Sequence, residues 1–277
     1  VVYLNPVAEQ LTGWSNRDAG GRFARGGSIV PAIEKANSKP APKGMKEPQS
    51  GHKSGGSVHG AAARHRLDKR ARGGRMTPRL IRVGASDSPV VVVDDVVGDV
   101  GRIVELAAAL APFPTVAGSY YPGVRRVLTP ADGAAHDYAT ALLQTLAPFI
   151  GGAFDVEGFD WIEGSFSMVT APPATLSPAQ RAPHFDAVDP GYLAVLHYLS
   201  DTPGSGTAFY RQRSTGIERI DAGNRDAFIA AARRDSALLS GYTNASNAAF
   251  DQIGAVAAKR DRVVLYQGCL LHSGIIP

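Results

Sequence analysis

Apolar and polar positions change their spacing several times after residue 77, and each change predicts an element. Residues 79–83 and 89–97 are rich in β-branched side chains, which favours strands. Asp99 follows and can cap a helix over 100–111. One face of that helix carries the apolar residues Ile103, Leu106, Ala107 and Leu110. The pattern therefore predicts two strands and then an amphipathic helix.

The rest of this region combines two more helical stretches with many short apolar runs. A helix over 130–149 begins at Thr129 or Asp132. Strands are predicted at 161–170, 183–188, 192–199, 206–213, 216–220, 262–266 and 269–276, with a helix at 224–239 between them. Helices followed by short antiparallel strands predict an α+β fold, in which helices buttress one face of a β-sandwich or barrel.

Residues 1–21 and 22–76 lack this periodicity and form two further segments. The opening VVYLNPVAEQLTGWS resembles the start of a PAS sensor domain, but nothing continues that pattern. A piece this short cannot bury a core of its own. We interpret 1–21 as a PAS-like fragment and 77–277 as the main domain.

Residues 22–76 are rich in Gly, Ser, Pro, Ala, Lys and Arg, and this composition predicts a disordered basic linker. The net positive charge of the chain comes from this segment, whereas the main domain is net acidic. Residues 64–75 (RHRLDKRARGGR) are basic enough for weak, non-specific contact with nucleic acid. A solvated linker explains the same residues more simply, because no aromatic side chains are interleaved to stack on bases.

The cysteine content and the lengths of the apolar runs indicate the cellular location of the protein. The chain has one cysteine, Cys269, so it forms no internal disulfide, and a reducing, cytoplasmic location is expected. No apolar run approaches the roughly 20 residues that span a bilayer, so no membrane association is expected. Cys269 lies close to His272, but a lone cysteine in an apolar stretch is usually a small buried hydrophobe.

The candidate metal-binding residues lie in two segments, RAPHFDAVDPG and the later RVVLYQGCLLHSG. Alternate side chains of a strand share a face, so His184 and Asp186 are expected to point the same way. His272 follows a turn at Gln267-Gly268 and is expected to lie on a different strand from His184 and Asp186. Two histidines and one carboxylate on one side of a metal leave positions open, as in non-haem iron oxygenases.

HFD followed by a distal LLHSG resembles the His-x-Asp…His signature of the iron(II)/2-oxoglutarate-dependent dioxygenase superfamily, in its prolyl-hydroxylase-like branch. VVVVDDVV, YPGVR, YLAVLHYLSD and GTAFYRQRSTG add to the likeness, which is greatest for an uncharacterised bacterial family. The resemblance implies a double-stranded β-helix (jelly roll). It also implies that His184, Asp186 and His272 bind Fe(II) and that 2-oxoglutarate is the cosubstrate. The reaction would hydroxylate an unidentified small-molecule or peptide substrate and release succinate.

Members of that superfamily usually bind the far carboxylate of 2-oxoglutarate with a basic residue about ten positions after the distal histidine. The sequence ends at Pro277, before that position, so a C-terminally truncated jelly roll is expected. Substitute ligands for the carboxylate are Arg125, Arg211 and Arg213, since a guanidinium binds a carboxylate with two hydrogen bonds. Tyr198 and Thr207 are further candidates for cosubstrate binding. Solvent-facing or structural roles explain the arginines equally well.

Three other functions remain open at this point. The chain can be a truncated, catalytically inactive jelly roll that at most binds a metal. It can be a jelly-roll hydrolase or isomerase that uses zinc or manganese at the same three residues. It can also bind nucleic acid through residues 64–75. Tyr120, Tyr121 and Trp161 are polar or aromatic candidates for substrate contact, and they do not single out a substrate class.

Overall fold

The computed structural model describes residues 28–35, 76–114 and 120–277. Its fold is α+β, with ten strands and four α-helices in these residues. The strands are β1 Ser28–Lys35, β2 Thr77–Val83, β3 Ser88–Asp94, β4 Gly123–Val127, β5 Phe159–Val169, β6 Leu193–Tyr198, β7 Gly206–Gln212, β8 Phe250–Ala257, β9 Arg262–Gln267 and β10 His272–Ile275. The helices are α1 Val100–Ala109, α2 Ala134–Phe154, α3 Pro178–Arg181 and α4 Arg225–Asp235.

The strands form two antiparallel sheets that pack face to face. The larger sheet has the order β2-β3-β9-β6-β1-β5-β4, and the smaller has the order β10-β7-β8. Val90 and Val264 of the larger sheet share one buried cluster with Phe209 and Val256 of the smaller sheet. The mixed α+β class and the sandwich of antiparallel sheets agree with the prediction from the hydrophobic pattern.

Helix α2 covers the outer face of the larger sheet. Its buried residues Leu142, Leu146 and Ile150 pack against Val195 and Leu265, which the pleat directs outward. The helix follows a 3₁₀ turn that Thr129 caps, and it runs five residues past the predicted end at 149. Helices α1 and α2 therefore buttress one face of the sandwich, as expected, whereas α4 packs against residues of the smaller sheet.

Helix α1 confirms the predicted cap. The Asp99 carboxylate accepts a hydrogen bond from the Arg102 backbone N–H at 3.2 Å, and the helix then runs to Ala109. None of the helices in the described parts of the chain is long and apolar enough to cross a bilayer.

Two predicted strands are wrong, because residues 183–188 and 216–220 are irregular. Each segment makes only an isolated bridge, His184 with His272 and Arg219 with Leu270. Conversely, β4 and β8 were not predicted, because the glycines and arginines in GVRRV and the mixed pattern of FDQIGAVA hide their β character. Pairing with neighbouring strands overrides these weak local preferences.

Strand β1 corrects the prediction of a disordered linker for residues 28–35. It pairs with β5 from Ser28 to Lys35 and, on its other side, with β6 from Ser28 to Ile33. Without this segment those two strands would each present an unpaired edge, and a β-rich run such as SIVPAIEK can satisfy both. The PAS-like fragment at 1–21, the basic stretch at 64–75 and the rest of the linker up to residue 75 lie outside the described residues.

Candidate metal centre

His184 and His272 are neighbours because their backbones pair. The His184 N–H donates to the His272 carbonyl at 2.9 Å, and the His272 N–H donates to the His184 carbonyl at 2.8 Å. Directly paired residues of an antiparallel bridge project their side chains on the same side. The two imidazole centroids consequently lie 4.3 Å apart.

Asp186 joins this pair through a second backbone contact. Its N–H donates to the carbonyl of Gly268 at 2.7 Å, which ties it to the turn before β10. Its carboxylate oxygens lie 3.8 Å from His184 Nε2 and 3.5 Å from His272 Nε2. Phe185 points the opposite way and packs edge-on against Phe228 of α4, so the predicted alternation survives although the segment is not a strand.

The donor atoms of these three side chains lie within 4.8 Å of one another, as a metal site requires. His272 Nδ1 is 2.7 Å from the Leu270 carbonyl, so it carries the proton and leaves the Nε2 lone pair available. His184 Nε2 and Asp186 Oδ1 are buried and have no hydrogen-bond partner. A divalent cation bound here would satisfy both atoms, so the residues fit a metal ion.

Burial shifts the pKa values of His184 and Asp186. It lowers the pKa of His184 well below its ordinary value, and the nearby His272 adds to that effect. Burial also raises the pKa of Asp186, and His272 and Arg125 only partly offset it. A neutral imidazole is ready to coordinate, and a buried carboxylate is costly until a cation neutralises it.

A cavity of about 320 Å³ opens beside the histidines. The Tyr120 ring lies 4.9 Å from the His184 ring, and the Tyr266 ring lies 4.7 Å from the His272 ring. The Tyr120 hydroxyl donates to the Ala182 carbonyl at 2.7 Å. These two aromatic rings restrict the histidines to their observed orientations. The cavity is also lined by Tyr121, Tyr198, Tyr242, Ser167, Ser200 and Thr207.

Two of the predicted cosubstrate residues line this cavity together. The Tyr198 and Thr207 hydroxyls are buried and hydrogen bonded to each other at 2.6 Å. One hydroxyl must donate to the other, and the acceptor retains its own proton. The pair therefore presents a hydrogen-bond donor from the junction of the two sheets.

The structure does not bring Arg211 and Arg213 to the cavity. Arg211 lies on the same strand as Thr207 but about 13 Å further along. It pairs with Asp251 at 3.2 Å and with Glu218 at 3.7 Å, while Arg213 pairs with Asp251 at 2.6 Å. Both arginine side chains are more than two-fifths exposed. As placed here, these arginines are surface ion pairs and do not reach a ligand at the metal centre.

Arg125 is placed differently, since it is buried on the inner face of β4. Its Nε donates to the Ser165 hydroxyl at 3.1 Å, and its Nη2 pairs with Glu163. It does not line the cavity itself. Its charge is nevertheless close enough to favour the ionised form of Asp186.

The remaining candidates lie away from the metal centre. His197 is buried against Asp261 at 3.1 Å and contacts Tyr138, so its role is packing. Cys269 is buried, and burial raises the pKa of its thiol. Trp161 packs against His136 on the outer side of the larger sheet.

Sequence reasoning missed three residues that shape the site, Ser167, Tyr266 and Gly268. A Cβ at position 268 would lie 3.1 Å from Asp186 Cβ and 2.7 Å from Tyr192 Cδ1, so only glycine leaves Asp186 in place. The available signals were a serine that alternates with Ser165 about Phe166, and a glycine at the turn before His272.

Comparison with curated proteins and with solved structures finds no match. A family model described as a family of unknown function (DUF6445) matches residues 74–277, which is well over half of the chain and includes all three candidate ligands. The chain belongs to this family of unknown function, DUF6445.

Proposed function

We propose that this protein is an Fe(II)- and 2-oxoglutarate-dependent oxygenase that hydroxylates a small-molecule or peptide substrate. One observation carries the proposal. Two imidazole nitrogens and one carboxylate converge in a buried site, and two of these atoms have no hydrogen-bond partner. Two histidines and one carboxylate on one side of a cation leave positions open for a chelating acid and for dioxygen, which suits Fe(II).

The two-sheet architecture supports the same proposal. We interpret the facing antiparallel sheets as a jelly roll, with His184 and His272 at its smaller sheet and helices α1 and α2 on its larger sheet. In this interpretation the metal centre lies at the edge of the interior, where a cavity opens.

Bound Fe(II) with its keto-acid cosubstrate would supply the oxidising chemistry. The chain's own residues hold and orient the reactants. His184, Asp186 and His272 would hold the metal, and the Tyr198–Thr207 pair would donate a hydrogen bond to the cosubstrate. The rings of the cavity wall exclude water, and a cavity of about 320 Å³ suits a small ligand or one side chain of a peptide.

Anaerobic titration of the protein with Fe(II) and 2-oxoglutarate tests the proposal. We expect a weak visible charge-transfer band that is absent from the Asp186→Ala and His272→Ala variants. His136→Ala is the matched control, because His136 lies on α2 beside Trp161 and away from the cavity. A wild-type protein that gives no band and no 2-oxoglutarate binding contradicts the proposal.

The competing functions give different results in the same preparation. A zinc or manganese hydrolase or isomerase turns over its substrate without 2-oxoglutarate. An inactive metal-binding protein binds the cation and releases no succinate in air. Succinate release that depends on all three metal ligands would separate the oxygenase from both.

A further inference from the structure

A polar stripe runs along the inner face of the larger sheet at its β4–β5 end. Ser165 and Ser167 alternate on β5 and are fully buried, while Phe166 between them packs outward against Phe113. Arg125 is the register partner of Ser167 on β4, so its side chain emerges on the same face. Elsewhere this face carries mainly apolar and aromatic residues. The stripe therefore places two hydroxyls and the guanidinium of the Arg125–Glu163 ion pair inside the sandwich.

These groups form a chain of hydrogen bonds that ends in the cavity. A guanidinium can only donate, so Arg125 Nε donates to the Ser165 hydroxyl. The Ser165 and Ser167 hydroxyls are 3.2 Å apart, and Ser167 lines the cavity. The Ser165 hydroxyl can donate a hydrogen bond to the Ser167 hydroxyl. The Ser167 O–H is then available to donate to a ligand in the cavity. The chain thus ends in a donor polarised by a cation.

A second donor lies opposite, on the other side of β1. Ser167 and Tyr198 both have Ser28 as their register partner, so they lie level with each other and about 10 Å apart between their Cα atoms. Tyr198 and its partner Thr207 line the same cavity. A group with several acceptor lone pairs, such as a carboxylate, can accept from both sides.

We propose that Arg125, Ser165 and Ser167 form the subsite for the distal carboxylate of the acid cosubstrate, with Ser167 in contact and Arg125 acting through the two serines. This inference rests on the proposed function. Arg125 is a positioning residue here, and its ion pair with Glu163 keeps the guanidinium in the stripe. The carboxylate would be recognised through hydroxyls, and the cation would remain buried behind them.

The test compares two keto acids that differ only at the distal group. 2-Oxoglutarate carries a carboxylate there, and 2-oxopentanoate carries a methyl group on the same five-carbon chain. Calorimetric dissociation constants are measured anaerobically on the full Fe(II)-loaded chain, so the readout does not depend on turnover. We expect wild-type protein to prefer 2-oxoglutarate. Ser167→Ala and Arg125→Met should weaken 2-oxoglutarate binding about ten- to hundredfold, with little change for 2-oxopentanoate.

Two further variants distinguish a specific role of Arg125 in the subsite from a general loss of structure. Arg125→Lys keeps the charge without the planar fork and should recover part of the preference. Arg126→Met removes the neighbouring arginine, which lies on the other face of β4 and pairs with Asp132, and should leave both constants unchanged. Ser167→Ala keeps the test decisive if the Arg125 variants fold poorly, because it removes one hydroxyl only.

The outcomes distinguish the two proposals. Undiminished preference for 2-oxoglutarate in Ser167→Ala and Arg125→Met overturns the subsite while the oxygenase proposal stands. Equal wild-type binding of the two acids also overturns it. Failure of wild-type protein to bind either acid overturns both.

Discussion

His272 Nε2 lies 3.5 Å from Asp186 Oδ2, although the two residues belong to distant parts of the chain. Backbone hydrogen bonds hold them there, since Asp186 is tied to Gly268 and His272 is tied to His184. The three donor side chains are therefore positioned by main-chain pairing before any cation binds. A preorganised site of this kind loses little conformational entropy on binding.

Metal binding should stabilise the fold through this site. A cation that binds only the folded state at a hundred times its dissociation constant adds about 2.7 kcal/mol. We expect a rise in the thermal unfolding midpoint on adding Fe(II) or Mn(II) under anaerobic conditions, and reversal by a chelator. His272→Ala should abolish the rise, and His136→Ala should retain it. An equal rise in the His272 variant would place the metal elsewhere.

Asp186→Asn should raise the stability of the metal-free protein and abolish metal binding. The carboxylate is buried and its Oδ1 has no hydrogen-bond partner, so its charge opposes folding in the absence of a cation. An amide removes that charge and can donate to an imidazole nitrogen nearby. We expect urea unfolding of the metal-free variant to show a free energy about 1 kcal/mol above wild type, and calorimetry to show no metal binding. A metal-free variant less stable than wild type would contradict this account.

Gly268→Ala should disturb the metal centre without replacing any of the three ligands. The added Cβ would lie 2.7 Å from Tyr192 Cδ1 and 3.1 Å from Asp186 Cβ, so the Asp186 side chain must shift. We expect roughly tenfold weaker metal affinity and about 1–3 kcal/mol lower stability. Gly152→Ala is the control, because nothing lies within 4 Å of a Cβ at that exposed helical position. Unchanged affinity in Gly268→Ala would show that Asp186 tolerates displacement.

Asp261 should contribute acid-sensitive stability on the outer face of the larger sheet. Burial raises its pKa, but hydrogen bonds from His197 and from the Val97 and Gly98 backbones outweigh burial and hold the pKa below the ordinary 3.8. A carboxyl with a lowered folded pKa stabilises above its unfolded value, and that contribution is lost as the pH falls through the folded value.

Asp261→Asn provides the measurement. At pH 7 we expect it to lower the free energy of unfolding by about 2 kcal/mol, because the amide nitrogen faces backbone donors. The difference from wild type should shrink as the pH falls below about 4. If the difference in unfolding free energy between wild type and Asp261→Asn is constant from pH 7 to pH 3, the Asp261 charge does not cause the stabilisation.

The local pattern anticipated the elements that have strong periodicity of their own. The β2–β3 pair, α1 with its Asp99 cap, and β6, β7 and β9 lie where the hydrophobic pattern predicts them. The pattern failed where pairing partners decide the structure. Residues 28–35 lie within a stretch whose overall composition predicts disorder, and they form a strand because two neighbouring strands need hydrogen-bond partners.

Residue type and spacing are enough to identify the side chains that can hold a metal. His184 and Asp186 alternate about Phe185, and a third donor follows in LLHSG; these are properties of residue type and spacing. The folded chain was needed to show that His272 faces that pair and that Arg125 lies behind two serines. It was also needed to show that Arg211 and Arg213 form ion pairs away from the cavity. Such contacts depend on strand register and on the facing of two sheets, which join residues far apart in the chain and leave no local periodic signal.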